Sequence, residues 1–70
     1  MTEQEKIARI ADALDQEIGA LNVDTPLDAI GWDSMGMLSV IALAKANGKT
    51  ITGAQIRAFS TVGDILEAAF

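Results

Sequence analysis

Asp33-Ser34 is where this chain could do chemistry. A serine hydroxyl used as a nucleophile needs a general base within reach. The sequence contains no His and no Cys, which removes a His-based triad, a thiolate nucleophile, a disulfide and the usual zinc ligands. Only Lys and carboxylate side chains are left as bases, and the adjacent Asp33 is better suited to a different task. Asp is a favoured N-cap, its carboxylate accepting a hydrogen bond from a free N–H in a helix's first turn. With Asp33 as cap, Ser34 becomes the first helical residue and its hydroxyl stands at the positive end of the helix.

The helix opened this way runs to about Ala46, and Asn47-Gly48 supplies its stop, because Gly tolerates the left-handed conformation that ends many helices. Spaced at about 100° per residue, Met37, Val40, Ile41 and Ala44 gather between about 140° and 240° when Met35 is set to zero. Met35, Leu38 and Ala42 gather on the opposite side, within about 60° of zero. Ser39 and Lys45 are the only strongly polar side chains in the body of the helix. A helix apolar all round asks to be buried all round, yet a chain of 70 residues has no material to wrap one. One apolar strip is therefore expected at the surface beside Ser34, with modest exposure, since a large uncovered patch promotes aggregation.

The length fits one domain spanning residues 1–70, of a size that buries only about 60% of its unfolded surface. Half of the residues are apolar, a globular rather than a disordered composition. No apolar run is long enough to cross a membrane and the start does not read as a signal peptide, so the expected location is the cytoplasm. Residues 1–33 hold eight acids against Lys6 and Arg9, a net of −6, whereas residues 34–63 hold no acid and three bases, Lys45, Lys49 and Arg57. Asp64 and Glu67 bring the total to −5. An acidic protein of this kind disfavours nucleic acid and anionic membrane and favours basic partners; acids also simply keep a small apolar domain soluble.

Other elements must hold the serine in place. Thr2-Glu3-Gln4-Glu5 reads as a capping box, followed by a stripe of Ile7, Ile10, Leu14 and Ile18. These predict a helix from about Glu3 to Glu17 or Ile18, ended by Gly19. Ala20 to Gly31 reads as a loop with a turn at Asp24-Thr25-Pro26, Pro26 also suiting the first position of a short helical turn, and Leu27 and Ile30 as plugs between helices. Lys49 to Thr52 reads as extended, with Ile51 in the core and Thr52 capping a short helix through Arg57. Ser60 or Thr61 starts the last helix, with Asp64 favouring its positive end and Val62, Ile65, Leu66 and Ala69 facing inward. The expected fold is all-α, a small bundle of three main helices plus one short one.

The order and spacing of these segments resemble the acyl and peptidyl carrier proteins, the phosphopantetheine-binding four-helix fold. Leu27-Asp28-Ala29-Ile30-Gly31-Trp32-Asp33-Ser34-Met35 is similar to the family's loop ending Gly-any-Asp-Ser-Leu/Met. Gly48-Lys49-Thr50-Ile51-Thr52 resembles the loop leaving the second helix, and Thr61-Val62-Gly63-Asp64-Ile65-Leu66 the start of the last one. The resemblance implies that Ser34 is the attachment point of 4′-phosphopantetheine, moved there from coenzyme A by a phosphopantetheinyl transferase with Mg²⁺ held mainly in that enzyme's own site. It implies no catalytic residue and no metal site in this chain. A phosphodiester on Ser34 would sit where free N–H groups and the helix dipole favour an anion, and the arm's thiol explains how a chain without Cys carries acyl groups as thioesters.

Further implications concern partners. The resemblance makes Met35, Leu38 and Ala42 contacts for acyl-loading and acyl-processing enzymes, and sets Ile41, Ala44 and Val62 nearer the core, around a cavity that can shelter an acyl chain. Trp32 is open to two roles, packing over Leu27 or flanking the arm. Gly36, a poor residue inside a helix, either admits a partner or the arm close to the backbone or signifies nothing. Positions usually acidic in the fatty-acid carriers are here Gly36, Ser39 and Lys45, which removes electrostatic steering from the helix. A carrier in a dedicated pathway (polyketide, peptide, specialised lipid or other acyl transfer) is therefore expected over a housekeeping fatty-acid role. A start at Met and the lack of a linker suit a freestanding monomer, and an excised domain is the alternative. Two rival classes remain: an unmodified helical interaction module using the apolar face, and a hydrolase or transferase with Ser34 as nucleophile.

Overall fold

Short side-chain caps decide where the helices begin. The computed structural model describes all 70 residues apart from the side chain of Ile18. Thr2 caps α1 (Glu3–Ala13): its Oγ1 accepts the Glu5 N–H at 3.2 Å while Glu5 Oε1 accepts the Thr2 N–H at 3.2 Å. Asp33 caps α2 (Ser34–Ala46). Thr52 and Gln55 repeat the reciprocal pair at the head of α3 (Gly53–Ala58), at 3.1 and 2.9 Å. At α4 (Val62–Ala69), Asp64 Oδ2 accepts the N–H groups of Ser60 at 2.7 Å and Thr61 at 3.1 Å. Each of these starts falls where a Thr or Asp precedes a periodic apolar run, as the sequence predicts.

The end of α1 does not fall where the sequence predicts. The helix stops at Ala13 rather than at Glu17 or Ile18. Asp15 takes the left-handed conformation, φ 56°, which Asp tolerates better than most residues. The Gln16 N–H then reaches the Ala11 carbonyl at 2.8 Å and the Asp15 N–H the Asp12 carbonyl at 3.2 Å. That pair of bonds is the Schellman arrangement, satisfying carbonyls that the helix would otherwise leave free. Gly19 instead lies in a short 3₁₀ turn over Ile18–Ala20. Of the expected stripe, Ile7 and Ile10 are buried and Leu14 is half-buried; Ile18 lies outside the described side chains. The end of α2 follows expectation: Gly48, at φ 75°, lets the Lys49 N–H bond the Ala44 carbonyl at 2.8 Å.

α1, α2 and α4 pack pairwise on one another, and α3 leans on α2. Ile10, Leu27, Val40, Val62 and Ile65 are the largest wholly buried side chains, so the core draws on all three main helices and on the loop before α2. Asn47 Nδ2 donates to the Ala69 carbonyl at 3.0 Å, tying the far ends of α2 and α4 together. The chain is thus the all-α bundle of three main helices and one short one.

The loop from Ala20 to Gly31 is fixed more firmly than its composition announces. Leu27–Ile30 form a 3₁₀ turn, with Pro26 one place before the turn rather than in its first position. Pro26 pairs with Thr61 in an isolated antiparallel bridge. The Leu27 N–H donates to the Ser60 carbonyl at 2.9 Å, the Val62 N–H to Thr25 at 3.0 Å and the Gly63 N–H to Val23 at 2.9 Å. Loop carbonyls therefore satisfy the first free N–H groups of α4. A Cβ on Gly63 would lie 2.9 Å from the Val23 carbonyl oxygen, so this approach requires glycine. In effect the loop is clamped to α4 just before it delivers Asp33-Ser34.

Candidate functional site

Gly31 closes the 3₁₀ turn at φ 70°, and the Trp32 N–H returns to the Leu27 carbonyl at 3.3 Å. The chain then straightens through Asp33 (φ −138°, ψ −174°) before α2 begins. Asp33 Oδ1 accepts the Gly36 N–H at 2.9 Å and its carbonyl accepts the Met37 N–H at 2.9 Å. The Met37 bond is the first of the helical ladder, and one of the four N–H groups that a helix start leaves free, that of Gly36, is thereby used. Those of Ser34 and Met35 have no acceptor among the described residues. Ser34 itself is exposed. A solvent-facing hydroxyl flanked by two unpaired N–H groups at the positive end of a 13-residue helix suits an anionic substituent.

The two apolar sides of α2 separate as the helical angles predict. Val40 and Ala44 are wholly buried, and Met37 and Ile41 half-buried. Ala42 is exposed with Met35 and Leu38 on the opposite side. Exposure on that side is not modest: Met35 is 77% exposed and Leu38 66%. The reason is economy of chain. α1, α4 and α3 all pack elsewhere on α2, and no element is left to cover this strip.

Trp32 and Gly36 lie against each other at the start of α2. Gly36 is half-buried, and a Cβ there would lie 3.3 Å from Leu14 Cδ2 and 3.4 Å from Trp32 Cε3. The missing side chain lets the end of α1 and the indole close on the first turn of α2. Trp32 is half-buried against the core, and its Nε1 is shielded from solvent without an acceptor among the described residues. A buried donor left unmet costs about 1–3 kcal/mol. Beside it runs a groove of about 350 Å³, bordered by Leu14, Asp15 and Gln16 on one side and by Trp32, Asp33 and Met35 on the other. The sequence carries no signal for this groove, because it depends on α1 ending early at Asp15.

A second cleft of about 350 Å³ lies at the other end of α2, between Ile41, Lys45, Lys49, Thr50 and Ile51. Ile41 borders this cleft, whereas Ala44 and Val62 are core residues with no exposure at all. Among the described residues no group of His, Cys, Asp or Glu is placed to hold a metal ion, and no helix is long and apolar enough to cross a membrane.

A small four-helix bundle that presents a serine at a helix N-terminus, with an apolar strip beside it, has the layout of a domain that carries a group for others. The chain belongs to the phosphopantetheine attachment-site family, whose model matches residues 7–69. Domains of this family are carriers rather than catalysts, and they bear a 4′-phosphopantetheine prosthetic group. No curated protein and no solved structure matched the chain. The residues present fit such a group: the hydroxyl of Ser34 is accessible and its neighbouring N–H groups are free to meet a phosphate.

Proposed function

We propose that this chain is a monomeric, single-domain, cytoplasmic carrier of acyl, aminoacyl or polyketide intermediates, held as thioesters on a 4′-phosphopantetheine arm attached to Ser34 Oγ. The observation that carries this reading is the exposed Ser34 at the first position of α2, with the Ser34 and Met35 N–H groups unpaired, in a chain of the phosphopantetheine attachment-site family. A phosphopantetheinyl transferase supplies the group from coenzyme A. The thiol of the arm provides the thioester chemistry that a chain without Cys lacks.

The chain's own residues hold and present. Asp33 fixes the first turn of α2 and so the backbone on which Ser34 stands. The free N–H groups and the helix dipole offset the charge of a phosphodiester there. Met35, Leu38 and Ala42 offer an apolar strip on which loading and processing enzymes can dock. Gly36, Ser39 and Lys45 stand where acids would give α2 electrostatic steering, which favours partners of a specialised pathway over those of housekeeping fatty-acid synthesis.

Incubation of the apo protein with coenzyme A, Mg²⁺ and a broad-range transferase tests the assignment. The intact mass is expected to rise by one phosphopantetheine, peptide mapping to place it on Ser34, and Ser34→Ala to abolish it. Folded protein left unmodified at Ser34 by a competent transferase overturns the reading. The exposure of Met35 and Leu38 also favours a second reading, an unmodified module that binds a partner through this strip. That reading predicts full function in Ser34→Ala.

A further inference from the structure

We propose that the pantetheine arm, once on Ser34, rests in the groove between the end of α1 and the first turn of α2, where Trp32 Nε1 donates a hydrogen bond to one of the arm's amide carbonyls. This rests on Ser34 being the attachment point. The groove starts beside that point, since Asp33 and Met35, the chain neighbours of Ser34, both border it. Its volume of about 350 Å³ lies in the range of about 300–1,000 Å³ usual for small-ligand clefts.

The chemistry of the lining selects the arm. Leu14, Ile30 and Met35 are apolar, Gln16 and Ser39 are neutral polar groups, Asp15 and Asp33 are carboxylates, and no base is present. Such a lining repels an anion and accepts a neutral chain that alternates hydrocarbon with hydrogen-bonding groups. Pantetheine is that kind of chain, with two amides, a hydroxyl and a geminal dimethyl group between phosphate and thiol. The phosphate itself stays outside, at the N–H groups of Ser34 and Met35.

Two features of the groove make room and supply a donor. Gly36 also borders the groove, and its lack of a Cβ keeps it from crowding Leu14 and Trp32, which lie 3.3 and 3.4 Å from where one would stand. Trp32 Nε1 has no acceptor among the described residues, although buried polar groups as a rule are paired. Cε3, which faces Gly36, and Nε1 lie on opposite edges of the indole. The proposed bond therefore requires the ring to make a half-turn about the Cβ–Cγ bond, whose preferences are broad and roughly two-fold.

The test begins with protein loaded as above and its mass increment on Ser34 confirmed. The chain has one Trp, so its indole N–H gives a single assignable resonance in a ¹⁵N–¹H spectrum. On loading, that resonance is expected to move and its exchange with solvent to slow about fivefold, the factor that one net hydrogen bond of about 1 kcal/mol is worth. Nuclear Overhauser contacts are expected from the arm's geminal methyls to Leu14 and Gly36. Gly36→Ala, checked for helix content, narrows the groove and weakens the contacts to Leu14 in the loaded form. Trp32→Phe keeps a ring, removes the donor and weakens the same contacts. An unchanged indole in loaded protein, or arm contacts to Ile41 and Ile51 in the cleft at the other end of α2, overturns the groove and leaves the attachment at Ser34 standing. Absence of the mass increment overturns both.

Discussion

At the scale of single residues, the site depends on carboxylates that work as caps rather than as acids or bases. Asp33 Oδ1 holds the Gly36 N–H, so Asp33→Ala is expected to cost about 0.5–2 kcal/mol, seen as a lower melting temperature, whereas Asp33→Asn, an equally good cap, should keep most of the stability. Equal melting of all three proteins would show that the cap contributes nothing. Asp64 offers a test of a different kind. The backbone N–H groups of Ser60 and Thr61 hold its carboxyl below the ordinary value of 3.8. The unfolded chain therefore binds more protons than the folded one between the ordinary and the lowered value, and stability rises with pH across that window. The contribution is fully present above 3.8 and is lost as pH falls through the lowered value. Asp64→Asn keeps an acceptor but cannot titrate. Thermal melts of the variant from neutral to acid pH should fall less steeply across that window than those of the parent, and identical slopes would remove Asp64 from the acid response.

At the scale of elements, the decisive joint is the one between the loop and the head of α4. The 2.9 Å separation between the Val23 carbonyl oxygen and a Cβ at residue 63 is too short for any side chain. Gly63→Ala is expected to cost about 1–3 kcal/mol, as overpacking does, or roughly 4–8 °C in melting temperature per kcal/mol for a domain of this size. Amide exchange at Leu27, Val62 and Gly63 should quicken, because their bonds to Ser60, Thr25 and Val23 form this joint. An alanine accepted without change in either measurement would mean that the loop is not clamped. The helices themselves were legible in the sequence, because caps such as Thr2, Asp33 and Thr52 act within one turn and the apolar stripes have helical spacing. Ser34 at the first position of α2 followed directly from that logic. The clamp was not legible, since it joins backbone groups far apart in the chain and leaves Gly63 as its only local trace. The early end of α1 was missed for a related reason: Asp15 in the left-handed conformation competes with Gly19 as a terminator, and periodicity cannot choose between them.

At the scale of the whole molecule, most of the acids and the exposed apolar strip of α2 come from different stretches of the sequence. All but two of the acids lie in residues 1–33, residues 34–63 hold none, and α2 shows the solvent two large apolar side chains, Met35 and Leu38. Docking through that strip, as proposed, would be driven by burial of apolar area, which is insensitive to ionic strength at moderate salt, whereas attraction between exposed charges is screened as the Debye length falls from about 30 Å at 0.01 M salt to about 3 Å at 1 M. The association of the apo chain with a phosphopantetheinyl transferase should therefore change little over that range. Leu38→Ala, by contrast, should weaken it roughly tenfold or more, since fully burying a leucine side chain contributes about 1.5–3 kcal/mol. Titration calorimetry of parent and variant at low and high salt measures both effects. A steep loss of affinity with added salt, combined with indifference to Leu38→Ala, would place the contact on Asp28 and Asp33 at the mouth of α2 instead of on its apolar flank.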